Sequence, residues 1–169
     1  IPWFVLILLV AFLGWKVSKK WYIGVVYGGM LLFVGCCGLW AEMLETISIV
    51  TAAVTLSLLL GFPLGILLAM SQRANKIILP ILDLMQTLPS FVYLVPAVIL
   101  FSPGKTPALL ATTIYSIVPM IRMTSHGLRH VDHEVIEAAY SFGSTRGQTL
   151  AKVQIPQALP TIMTGVNQT

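Results

Sequence analysis

The chain has 169 residues, of which 57% are hydrophobic and only 9% charged, with a formal net charge of +4. An ordinary soluble domain carries roughly 25% charged residues. A soluble fold of this size has too little polar surface to cover so much apolar area, so the composition excludes a water-borne globule and makes lipid the solvent. The sequence opens at Ile1 without a Met, inside an apolar run, and stops at Thr169 just after another begins, which reads as a piece of a longer protein.

Crossing the hydrocarbon core as a helix takes about 20 apolar residues. Five segments approach this: 1–15, 22–40, 47–70, a stretch from near Leu84 to Phe101, and 107–121; a sixth starts near Ala158. The connectors 16–21, 41–46, 71–76 and 102–106 are short, polar or bear Pro and Gly. The expectation is an all-α polytopic membrane protein with about five to six spans, in which 1–46 form peripheral N-terminal spans and 47–169 a core.

Cys36 and Cys37 are adjacent in an apolar run. Neighbours on a helix point about 100° apart, poor geometry for a bridge, so they read as small hydrophobes. No cleavable signal peptide is visible.

The basic residues orient the bundle, because Lys and Arg collect in cytoplasmic loops. Nine of the 10 fall on alternating connectors: Lys16, Lys19 and Lys20, then Arg73 and Lys76, then Arg122, Arg129, Arg146 and Lys152. Lys105 alone has the other parity, and Glu42 and Glu45 share its side. The segment 122–156 is therefore expected in the cytoplasm. The net charge reflects this asymmetry and gives no reason to invoke nucleic acid.

Pro63, Pro89, Pro96 and Pro119 interrupt apolar runs, and Gly61 and Gly65 stand four apart. In lipid such residues serve as kinks and close helix contacts, or as bends used in gating.

A long polar stretch in so apolar a chain needs a purpose. Val131, Val135, Ala138 and Phe142 recur at helical spacing, while Glu134, Glu137 and Ser141 point elsewhere. Asp132 can cap the first turn, with Glu134 at the positive end of the dipole. Gly143 supplies the left-handed residue that commonly ends a helix. Thr145 and Gln148 then have the spacing of a capping box opening a second short helix, which should end before Pro156. The product is a helix–glycine–helix elbow. Periodicity and capping alone fit two uses, a docking element for a soluble partner and an amphipathic hairpin lying on lipid heads.

Here the residues carry a family resemblance. Glu137-Ala138-Ala139, then Gly143, then nine residues to Val153-Gln154-Ile155-Pro156, resembles the EAA loop of ABC-importer permeases. That pattern reads Glu-Ala-Ala, three residues, Gly, nine residues, then Ile, any residue, Leu, Pro; Val153 and Ile155 depart from it mildly and keep its aliphatic character. More narrowly, the run from Leu82 to Pro96, Ser141-Phe142-Gly143, Lys152 to Pro156, Pro160 to Met163 and Gly165 to Thr169 resemble permeases of glycine betaine/proline betaine uptake systems.

The resemblance implies a type I ABC-importer transmembrane fold, with 47–169 as an incomplete permease core and 122–156 as its cytoplasmic coupling loop, in a bacterial-type inner membrane. Two permease subunits would form the pathway, paired as a homodimer or with a homologue. Each elbow would sit in a groove of a cytoplasmic ATPase dimer, and an extracytoplasmic binding protein would deliver a quaternary amine such as glycine betaine. The coupling residues would be Glu137, Ala138, Ala139, Gly143, Val153, Ile155 and Pro156. ATP and Mg would bind the partner ATPase, leaving this chain without a cofactor or catalytic site.

Other signals are set aside. Gly104-Lys105-Thr106 looks like the end of a phosphate loop, but Ile99 stands where that motif needs glycine. His126, His130 and His133, with Asp132 and Glu134, suggest a metal cluster, but Gly127 and the expected break near Asp132 remove the scaffold and no second ligand group is identifiable. Asn167-Gln168-Thr169 fits a glycosylation acceptor in the wrong place, beside a cytoplasm-facing segment.

Asp83 precedes the fourth apolar stretch and should sit at the cytoplasmic interface or against a partner, since an acid at mid-bilayer costs about 2.5–3.5 kcal/mol. Gln86, Thr87 and Tyr93 are candidates for lining the pathway, with helix–helix hydrogen bonding as the competing use. An ABC permease for another solute, a secondary transporter or channel, and a membrane scaffold that only recruits a soluble protein are the alternatives. Secondary transporters usually carry paired ionisable groups inside the membrane, and these spans hold almost none.

Overall fold

The computed structural model describes residues 3–169, and among these every regular element is helical. Two compact units divide the chain, one ending at Ser48 and the other running Ile49–Thr169.

In the first unit α1 (Trp3–Ser18) and α2 (Trp21–Cys36) form an antiparallel hairpin, with Gly24 against Ala11 and Trp15, and Gly28 against Ala11 and Ile7. Small residues permit this approach, which matters in lipid because packing, not water exclusion, draws helices together.

The helix α3 (Trp40–Met70) is 31 residues long, about 46 Å at the helical rise. It absorbs 41–46, expected as a connector. Ala41, Glu42, Met43 and Leu44 are strong helix formers, and Glu42 lies in the first turn, where a carboxylate suits the dipole. The expected connector 71–76 likewise reduces to Ser71, whose side chain accepts from the Ala74 N–H at 3.3 Å and caps α4 (Gln72–Thr87).

The expected span from Leu84 to Phe101 is broken. Between α4 and α5 (Phe91–Phe101) the chain bends by 87°. Leu88 is extended, at φ −76° and ψ 135°, as the residue before Pro89 prefers. Pro63, Pro96 and Pro119 are carried inside α3, α5 and α6 instead.

The helix α6 (Lys105–Arg129) continues past Ile121, where the fifth apolar stretch was expected to end. It is followed by α7 (His133–Ser141), α8 (Arg146–Thr149), a π-helical turn Leu150–Gln154, and α9 (Ile155–Gln168). The second limb of the elbow therefore does not stop before Pro156. The Ile155 N–H reaches back five residues to the Leu150 carbonyl, and this wider turn carries the chain past Pro156, which has no N–H to donate.

Among the described residues α3 and α6 can each cross a membrane by length and composition, and the bent pair α4–α5, counted as one span, brings the number to three, against the five to six expected. At 16 residues each, α1 and α2 span only about 24 Å, short of a hydrocarbon core of about 30 Å.

The core of the second unit surrounds α6. Val118 and Ile121 pack with Leu68 of α3 and Leu82 of α4. Met120 and Leu128 pack with Ala158 and Ile162 of α9, flanked by Val131, Leu150 and Ile155. At the α3–α6 crossing a Cβ on Gly65 would lie 2.5 Å from the Thr124 Cβ and 2.9 Å from the Ile121 carbonyl oxygen, so only glycine fits. Buried polar groups tie the helices together: Ser57 donates to the Thr113 carbonyl at 3.2 Å, and Ser125 to Asn75 Oδ1 at 3.2 Å.

Candidate coupling elbow

The first limb is set by local hydrogen bonding. Asp132 caps α7, its Oδ1 accepting from the Glu134 N–H at 3.0 Å. At the other end Gly143 stands at φ +81°. Its N–H donates to the Tyr140 carbonyl at 2.8 Å, and the Ser144 N–H donates to the Ala139 carbonyl at 3.1 Å. These two bonds close a Schellman motif, which satisfies carbonyls the helix end would leave orphaned. The Thr145/Gln148 capping box forms as its spacing predicts: the Thr145 N–H donates to Gln148 Oε1 at 2.9 Å, and the Gln148 N–H to Thr145 Oγ1 at 3.4 Å.

The two limbs differ in how they are held. The second limb is anchored, with Thr149 fully buried and Leu150 and Ile155 packed against the Met120–Leu128–Ala158–Ile162 cluster. The first limb has no buried residue. Val135, Ile136 and Ala139 are half-buried, whereas Glu137, Ala138, Tyr140, Ser141 and Phe142 are exposed, Phe142 at 91%. The apolar face expected from Val131, Val135, Ala138 and Phe142 is thus split. Ala139, four residues after Val135, continues the inner stripe, while Ala138 and Phe142 turn outward.

Glu137 projects with its side chain 67% exposed and pairs with His133, its neighbour one turn earlier, at 3.0 Å. The i,i+4 spacing of His133 and Glu137 was the signal for that pair in the sequence. Of the remaining motif residues, Val153 and Ile155 are half-buried and Pro156 is exposed. The elbow therefore presents an exposed tip bearing Glu137 and two aromatic rings, Tyr140 and Phe142, on a base packed against α6 and α9.

The three pathway candidates all lie near the bend between α4 and α5, Thr87 and Tyr93 in local bonds and Gln86 in a bond to another helix. Arg122 of α6 donates to Gln86 Oε1 at 2.6 Å and meets Asp83 Oδ1 at 2.7 Å, so Asp83 sits against a cationic partner. Thr87 Oγ1 donates to the Leu84 carbonyl at 2.8 Å, and Tyr93 Oη to the Met85 carbonyl at 2.9 Å, bridging the break. The Arg122 fork was not legible in the sequence, because its three residues are brought together only by the packing of α4 on α6.

Of the histidines set aside above, the His126 and His130 rings lie 3.9 Å apart, and His133 turns to Glu137. Among the described residues no three His, Cys, Asp or Glu side chains are placed to hold a metal ion.

Residues 61–167, which include the whole elbow, match the family of binding-protein-dependent transport system inner membrane components. The chain belongs to this family. It is 46% identical over 165 residues to the glycine betaine/proline betaine transport system permease protein of Escherichia coli (strain K12), a match covering 98% of this chain and 46% of that protein. It is 43% identical to the glycine betaine/carnitine transport permease protein of Listeria monocytogenes serotype 1/2a (strain 10403S), over 99% of this chain and 60% of the relative. A choline transport system permease protein of Bacillus subtilis (strain 168) is 34% identical over 82% of this chain and 60% of its own length. The chain thus spans about half the length of the curated relatives it matches.

Among solved structures, one of inward-facing conformations of the MetNI methionine ABC transporter superposes with a TM-score of 0.64 at 21% identity, covering 80% of this chain and 68% of the other. The fold is that of a type I ABC-importer permease. As a member of an inner membrane component family the chain is membrane-embedded, in agreement with the apolar lengths of α3 and α6.

Proposed function

We propose that this chain is the membrane-spanning part of an ATP-driven importer of quaternary amine osmoprotectants of the glycine betaine, proline betaine or choline type. It pairs with a second permease subunit to enclose the pathway and has no catalytic site of its own. ATP and Mg are bound by a separate ATPase dimer in the cytoplasm, where the elbow lies, and an extracytoplasmic binding protein delivers the solute. The solute class is supported by the relatives, whose names specify glycine betaine, proline betaine, carnitine and choline, all quaternary amines.

The observation that carries the coupling role is the asymmetry of the elbow. A tip bearing Glu137, Ala138, Tyr140 and Phe142 is free to enter a groove, while Leu150 and Ile155 at its base share one packed cluster with α6 and α9. Close-packed elements move as bodies, so a pull on the tip displaces α6 and α9 instead of being absorbed locally. In this reading Glu137 and Ala138 meet the ATPase and Ala139 lets α7 approach its support. Gly143 holds the bend, and Val153, Ile155 and Pro156 join the limb to α9. Gln86, Thr87 and Tyr93 line the approach to the pathway at the α4–α5 bend.

Co-expression of the full-length permease with its ATPase tests the reading. The two should co-purify and reconstitute ATP-dependent glycine betaine uptake in proteoliposomes. Uptake driven by an ion gradient without ATP would sink the proposal.

A further inference from the structure

Beside the α4–α6 fork lies an open cavity of about 750 Å³ that neither the elbow nor the fork explains. Arg122, His126, Arg129 and His130 line it, stepping along one side of α6, and Leu79 and Met123 supply apolar wall. Its size is within the roughly 300–1,000 Å³ usual for a small-molecule site. The cation inventory is uneven. Arg122 is already matched by Asp83 and Gln86, whereas Arg129 is exposed and has no anionic partner among the described residues. His130 Nδ1 lies 2.8 Å from the His126 carbonyl, which leaves its Nε2 for another partner.

The chemistry of this wall selects an anion. Quaternary ammonium groups are held by aromatic faces, and no Trp, Tyr or Phe lines the cavity. Depth then selects the kind of anion. Between Lys105 and Arg122 the helix α6 advances about 26 Å, close to the hydrocarbon thickness of about 30 Å. With α6 spanning the bilayer from Lys105, Arg122 to His130 would stand at the level of lipid phosphates, and Leu79 and Met123 would lie beside the upper acyl chain.

We propose that this cavity is a binding site for the phosphate of an anionic phospholipid, gripped by the planar fork of Arg129 with His126 and His130. A guanidinium matches two phosphate oxygens at once, which an ammonium cannot do. The inference rests on α6 crossing the bilayer and is independent of what the elbow grips.

The test uses full-length permease in nanodiscs of phosphatidylcholine doped with phosphatidylglycerol. Lipid retained after transfer to detergent is counted by native mass spectrometry. The wild type should retain phosphatidylglycerol over phosphatidylcholine, and Arg129→Gln combined with His126→Gln should cut that preference about tenfold. Arg129→Lys should keep part of it, and Arg73→Gln, a basic residue outside the cavity, should keep all of it. Equal retention of both lipids by the wild type, or a preference untouched by the double substitution, would overturn the proposal. Displacement of the lipid by millimolar inorganic phosphate would also overturn it, by showing a free-anion site.

Discussion

Arg122 and Asp83 meet at 2.7 Å across α6 and α4, and the second nitrogen of the same guanidinium takes Gln86 at 2.6 Å. One cation thus clamps two residues one turn apart, next to the 87° bend that separates α4 from α5. Both partners are more than a third exposed, so the pair is worth at most about 1 kcal/mol. In a double-mutant cycle with Asp83→Asn and Arg122→Gln, chemical denaturation should report a coupling of about 0.5–1 kcal/mol that shrinks in high salt. A coupling of zero would show that the clamp is geometric only.

Gly143 holds the elbow at φ +81°, where a side chain costs about 1–2 kcal/mol and a β-branched one more. Since nothing lies within 4 Å of its would-be Cβ, the penalty is conformational, not steric. Gly143→Val should leave the bundle folded but misdirect the elbow. Solute uptake in proteoliposomes containing the complete transporter should fall at least tenfold while ATP hydrolysis continues. Undiminished uptake would remove the elbow from the coupling path.

Phe142 is 91% exposed, so its removal should leave thermal stability within about 0.5 kcal/mol. Buried in an ATPase groove, the same ring is a candidate anchor, and anchors cost more than about 1 kcal/mol when truncated. Phe142→Ala should therefore weaken ATPase association about fivefold or more, measured by titrating the ATPase onto permease in nanodiscs.

Gly65 is enclosed by Thr124 and Ile121, so even one methyl overpacks the α3–α6 crossing. Gly65→Ala should cost about 1–3 kcal/mol, and Gly65→Leu should abolish accumulation of folded protein. Size-exclusion chromatography and a thermal melt in detergent read both outcomes.

Thr124 on that same crossing is fully buried, and its Oγ1 has no hydrogen-bond partner among the described residues. A buried unsatisfied hydroxyl costs about 1–3 kcal/mol. Thr124→Val preserves the shape and removes the orphan, so the melting temperature should rise. A fall would mean that the hydroxyl finds a partner during the transport cycle or in the assembled transporter.

The legible parts of this protein were those governed by near neighbours. The Asp132 cap, the Gly143 turn and the Thr145/Gln148 box each depend on groups within a few residues, and each formed where its spacing placed it. Boundaries were less legible. Residues 41–46 read as a connector because Glu42, Glu45 and Thr46 interrupt the apolar run, yet a segment of good helix formers simply extends a helix. Five prolines lie in helix interiors, whereas Pro89, preceded by an extended Leu88, marks a break inside an expected span. Whether a proline bends or breaks a helix depends on what re-satisfies the freed carbonyls, which the local sequence does not contain.

By itself the sequence determined that lipid is the solvent and that the elbow is bent by a glycine between two capped limbs, because composition and capping are properties of short stretches. Tertiary structure alone decided that Ala138 and Phe142 face outward, that Arg122 clamps Asp83 and Gln86, and that Asn75 is buried against Ser125. The Arg122 and Asn75 pairings join residues 36 to 50 positions apart in the chain. Which face of a helix is covered is settled by the neighbour that packs on it, and periodicity can mark a stripe without naming what fills the other side.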